Sequence, residues 1–188
     1  MTNISLVSKG YAESGVPVTV GATSVPRVSV TRPNDTTQYA IGDAWSDDTG
    51  SPTVPSFTAS RAAAETGHLT GLKVFCSANQ ATKPAFQVLV FDTTFTALED
   101  NAAVDLSDAE AARVAAIFEV TTGDWIETNG AAGASGNLIA DVPPLALNPP
   151  AFACLAGSQL LYVALRMTNT YTPTAEEILT LIFDVEQN

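Results

Sequence analysis

With 188 residues, 46% of them hydrophobic and 15% charged, the chain can bury roughly 70% of its extended surface and lies far from the composition of disordered segments. Eight basic residues against 20 acidic ones leave a net charge of −12, with the basic side chains scattered, so duplex DNA, RNA and anionic membranes repel such a surface. Met1 to Gly10 show no basic region leading into an apolar one and no apolar run reaches the roughly 20 residues that span a bilayer, so translation into a cytoplasm is expected.

Residues 1–28 are Ser, Thr, Val and Gly with Pro17 and Pro26, lack a helical period, and read as an N-terminal arm or a first strand pair ahead of a β-sandwich domain over 29–188. From Val28 onward, short β-branched or aromatic runs alternate with Pro, Gly, Asn and Asp, the punctuation of strands and turns. Strands are predicted near 27–31, 39–45, 56–59, 69–77, 85–92, 115–121, 138–142, 160–168 and 178–186. Residues 86–91 and 160–165 are largely apolar on both faces, which places them in the middle of a sandwich. The 11 prolines fall mainly at segment edges, where a missing N–H interrupts no ladder.

One short connecting helix is predicted near 107–114. It opens on Ser107-Asp108-Ala109-Glu110, a capping box in which the Ser107 hydroxyl accepts from the Glu110 amide and the Glu110 carboxylate reaches back. The fold class that follows is all-β: an antiparallel, jelly-roll-like β-sandwich.

The chemistry tests fail on spacing. Gly130, Gly133 and Gly136 recur every third residue, matching neither the dinucleotide fingerprint nor the P-loop; residues 129–137 read as a surface loop. Ser135 lies in Gly-Ala-Ser-Gly-Asn, which is not a nucleophile elbow. The single histidine, His68, reads as a surface residue at a strand start, and with Cys76 and Cys154 it cannot make a four-ligand zinc site. The two cysteines read as buried free thiols.

Acidic residues gather at Asp47-Asp48, Glu99-Asp100, Asp105/Asp108 and Glu176-Glu177. Calcium needs about six to eight oxygens, presented by a characteristic loop that is missing, so these read as solvated turns. Trp45, Trp125, Tyr39 and Tyr171 are the rings that could stack on a sugar, and each reads instead as half-buried packing. No catalytic, cofactor-binding or metal residue is assigned, no cofactor is expected, and the chain does not read as an enzyme.

Four segments carry a resemblance: Val30-Thr31-Arg32-Pro33-Asn34-Asp35-Thr36-Thr37-Gln38-Tyr39-Ala40-Ile41-Gly42-Asp43, Ser77-Ala78-Asn79-Gln80-Ala81-Thr82-Lys83-Pro84, the capping-box helix, and Met167-Thr168-Asn169-Thr170-Tyr171-Thr172-Pro173. Together they resemble a group of small virion structural proteins of tailed phages and prophages of proteobacteria. Within the first, Asn34 to Thr37 supply side chains that bond their own backbone and Gly42-Asp43 makes a turn, a structural signature with no active-site residues to transfer. The resemblance implies a capsid decoration (cement) protein on the virion surface, made in the bacterial cytoplasm. Its implied partners are the major capsid protein and neighbouring copies of itself, a homotrimer being one closed symmetry open to it; nucleic acid and membrane are not among them. The alternative is a tail-tip or fibre module that contacts carbohydrate or a receptor.

Overall fold

The computed structural model describes residues 10–11, 17–18, 22–128, 137–143 and 149–187. Gly10–Tyr11 (β1) and Pro17–Val18 (β2) pair antiparallel. Ala22–Ser24 (β3), Arg27–Thr31 (β4), Ser56–Thr58 (β5), Thr66–Cys76 (β6) and Phe86–Phe91 (β7) follow. After the helix Asp108–Ala111 (α1) come Val114–Val120 (β8), Trp125–Glu127 (β9), Leu138–Val142 (β10), Ala151–Ala153 (β11), Leu160–Met167 (β12) and Ile178–Gln187 (β13).

The strands form two antiparallel sheets. One runs β4-β13-β6-β10-β9, with β3 continuing the β4 edge along β13 and β11 continuing the β10 edge along β6; the other runs β5-β12-β7-β8. The partners are nested: β7 with β8, β6 with β10, β5 with β12, and β4 with β13. One long hairpin has thus been rolled over itself, and the β6–β13 and β7–β12 pairings close the two sheets. This is the connectivity of a jelly roll.

Period-two patterning sets the register. Val28 and Val30 of β4 point inward while Arg27, Ser29 and Thr31 point out, and Leu138, Ala140 and Val142 of β10 repeat the pattern. Leu72, Val74, Leu181 and Phe183 from the first sheet meet Val88, Phe118, Leu161 and Val163 from the second in one core. The Phe57 and Phe183 rings stack across it at 4.3 Å between centroids.

The doubly apolar strands β7 and β12 are the central pair of their sheet. Their outer-face residues Leu89, Phe91 and Ala164 form a second cluster with Phe95, packed by Leu98 and Leu106 of the connection to α1. The first sheet's outer face instead leaves Ile126 and Ile139 65% and 40% exposed, in register with each other and with Phe75.

Three expectations change. Residues 39–45 are not a strand: their backbone N–H groups bond to Tyr171, Met167, Ala102 and Leu165 in turn, and Gly42 turns the chain at φ +99°, so no single ladder forms. The helix ends at Ala111, because Val114 already pairs with Phe91. β9 and β11, three residues each, were not predicted; each leans on a longer neighbour.

Candidate functional site

Thr31 lies opposite Ile178 and Cys76 opposite Leu179, so β4 and β6 end beside the start of β13. The loops leaving β4, β6 and β12 therefore gather at one end of the sandwich. There Thr36 and Gln38, then Gln80 and Thr82, then Thr170 and Thr172 line a groove of about 510 Å3. Each pair comes from a different one of the resembling segments. The Gln38 side-chain amide donates to the Thr172 hydroxyl at 3.0 Å across it. Hydroxyl and amide groups alternate in the lining with the apolar Ala81, Pro173 and Ala175, and no charged or aromatic side chain is present.

Beneath this end lies a polar core. Arg32 and Asp100, both side chains without solvent exposure, pair at 3.1 Å. Arg32 Nε donates to Tyr39 Oη at 3.0 Å, Tyr39 donates to Asp100 Oδ1 at 2.6 Å, and the Ser46 N–H donates to the same oxygen at 2.9 Å. Asp35 accepts at 3.1 Å from the same Arg32 Nη2 that meets Asp100, and its backbone carbonyl accepts from Nη1, while its carboxylate caps the Thr37 N–H at 2.9 Å. Burial pushes the Asp100 carboxyl above the usual aspartate range, although the bonds from Ser46, Tyr39 and Arg32 pull it down.

Tyr39 stacks on Trp45 at 5.4 Å, and Trp45 stacks on Tyr171 at 6.0 Å. Tyr171 donates to Glu177 Oε1 at 2.6 Å, the Cys76 thiol donates to that oxygen at 3.0 Å, and the Thr174 N–H donates to Oε2 at 2.8 Å. Burial raises the Tyr39, Tyr171 and Cys76 pKa values well above their ordinary ones, and the neighbouring carboxylates Asp100 and Glu177 add to it, so all three stay protonated donors. A thiol held this way is a poor nucleophile.

Asp100 and Glu177 correct the reading of the acidic clusters as solvated turns: both are buried, satisfied by the donors just named. Asp48 does cap its own turn, accepting from Gly50 and Ser51. His68 sits on β6 between Ala151 and Glu186. Cys154 is buried and accepts from Ser60 at 3.4 Å. Gly130, Gly133, Ser135 and Gly136 lie outside the described residues. Tyr39, Trp45 and Tyr171 are buried, and Trp125 is half-buried with its indole N–H donating to the Pro84 carbonyl at 2.7 Å, so the four rings offer no open sugar platform. Among the described residues, no three or more His, Cys, Asp or Glu side chains are grouped to hold a metal, and no helix is long and apolar enough to cross a membrane.

No family model and no curated protein matches this chain. Among solved structures, a chain from Sacbrood virus of honeybee is similar at 13% identity and a TM-score of 0.27, over 90% of this chain and 72% of that one. That likeness is too slight to bear on fold or function.

Proposed function

We propose that this protein is a structural component of a tailed-phage particle that decorates the capsid, binding the major capsid protein and neighbouring copies of itself. The observation behind this reading is how the chain uses the segments that resemble phage virion proteins. Arg32, Tyr39 and Tyr171 are spent inside on a rigid polar core, and Thr36, Gln38, Gln80, Thr82, Thr170 and Thr172 converge outside on one groove. Such side chains build and present a surface without arranging a nucleophile beside a base.

A decoration protein works by buried area, about 1,600 Å2 for a stable contact, multiplied over a symmetric shell. The uncharged groove and the apolar row of Ile126, Ile139 and Phe75 supply contact area, while the −12 charge steers the protein toward basic surfaces. Adding purified protein to capsids stripped of it should raise the temperature at which the shells disrupt. Unchanged shells, with no protein retained on them, would refute the assignment.

The hydroxyl and amide lining of the groove also suits hydrogen bonding to a neutral glycan, as in a tail-tip module. Glycan-array binding lost on Gln38→Ala would favour that reading over the capsid.

A further inference from the structure

On the β6–β7 loop, Lys83 Nζ donates to Asn79 Oδ1 and, at 2.8 Å, to the Gln80 carbonyl, and it lies 2.8 Å from Glu127 Oε1 on β9. The three groups are largely withdrawn from solvent: the Lys83 and Glu127 side chains are 14% and 26% exposed and Asn79 is 6% exposed. The loop is held on both sides. Asn169 Nδ2 donates to the Lys83 carbonyl at 2.9 Å, Asn169 Oδ1 accepts from the Ala85 N–H at 3.0 Å, and the Trp125 indole fixes the Pro84 carbonyl. The bond from Lys83 holds the Glu127 carboxyl below the usual glutamate range; the Lys83 amine thus joins the Asn79 amide oxygen to the Glu127 carboxylate, while Asn79 Nδ2 lies buried without a hydrogen-bond partner.

We propose that Lys83 and Asn79 become joined by an intrachain amide bond, with Glu127 as the proton carrier. An amine held on the oxygen of a carboxamide is already beside the group an amide exchange would attack, and Glu127, 2.8 Å from Nζ, is the carboxylate placed to carry protons from it to the buried, unpartnered Nδ2 of Asn79. The first proton passes from Nζ to the Glu127 carboxylate, freeing the amine. Nζ then attacks Cγ of Asn79 and the Nζ–Cγ bond forms. The Cγ–Nδ2 bond breaks as Nδ2 takes that proton from Glu127 and departs as ammonia. A second proton leaves Nζ through Glu127 and is taken up by the ammonia as ammonium, so Glu127 ends as it began and Nζ keeps one hydrogen as an amide. No oxidant or reductant enters. The link spans only the segment that supplies Gln80 and Thr82 to the groove, so it stiffens one groove wall and, closing so short a loop, adds little to global stability.

The test is the mass of the purified, denatured full chain, followed by fragmentation of the peptide that contains Asn79 and Lys83 and by amine labelling. The expected result is a mass below that of the sequence by one ammonia, a branched peptide, and a Lys83 that does not label. Folded Lys83→Arg and Glu127→Gln proteins should keep the full mass. A wild-type chain at full mass overturns the proposal. So does ammonia loss with Lys83 still reactive, which would be a succinimide at Asn79. A crosslink persisting in Glu127→Gln would overturn the role of Glu127.

Discussion

Two carboxylates lie buried on either side of the Tyr39–Trp45–Tyr171 stack, and they are kept there by different means. Asp100 faces a fully buried guanidinium as well as a phenol and a backbone N–H. Glu177 is held by a phenol, a thiol, a hydroxyl and a backbone N–H, with no cation among the partners that bond to it. Burying a charge is costly unless its lone pairs are satisfied; here one site answers with a counter-charge and the other with donors alone. The first should break sharply when its cation is lost, and the second by degrees as donors are removed one at a time.

The largest expected effect is at Arg32. Arg32→Met leaves Asp100 buried and unpaired and should cost about 3–5 kcal/mol in denaturant unfolding. Replacing both partners with apolar residues, Arg32→Met with Asp100→Leu, should recover part of that loss; a double variant no more stable than the single would count against the pair as the cause. Tyr171→Phe removes one of several donors from Glu177 and should cost about 1–3 kcal/mol, less than the Arg32 change, by the same measurement.

A third carboxylate sharpens the contrast. Glu110 is half-buried, accepts from the Thr96 and Ser107 N–H groups at 2.8 and 3.0 Å, and completes the capping box of α1. The Thr96 bond, followed by those from Ser107, lowers its pKa from 4.5 to about 2. A carboxyl whose folded pKa is depressed contributes stability that is fully present above the unfolded value and is lost as pH falls through the folded one. NMR titration should therefore place the Glu110 midpoint near 2, with the Thr96 amide losing protection from exchange between pH 4.5 and 2. Ser107→Ala is the smallest change expected, about 1 kcal/mol, with the β-sheet signature in circular dichroism unaltered.

The sequence carried the strands that run for five residues or more. Residues 27–31 and 138–142 match β4 and β10 residue for residue because strict alternation fixes which side chains go inward. The capping box of α1 was equally plain, since both of its bonds are local, and so was the Asp35 turn. Residues 39–45 misled because their bonds go to four separated positions, which leaves no local period. The buried roles of Asp100 and Glu177 were hidden for a related reason: an acid in a polar turn looks solvated until a donor 61 residues away, Tyr39 for Asp100, or 101 residues away, Cys76 for Glu177, is seen to reach it. The groove is the extreme case, since none of the three segments that line it contains any of it alone.

The nested pairing also governs the order in which the fold can assemble. The innermost pair, β7 with β8, is joined by the connection that carries α1, whereas β4 meets β13 only after a span in which Ser29 and Thr180 are 151 residues apart. Closing so wide a span is entropically costly, and topologies dominated by such non-local pairings fold in about milliseconds to seconds. Because β13 alone joins the β3 and β4 edge to β6, that sheet stays open on the nascent chain until its last strand has emerged. During synthesis, therefore, β6 is the unprotected edge that a chaperone has reason to cover.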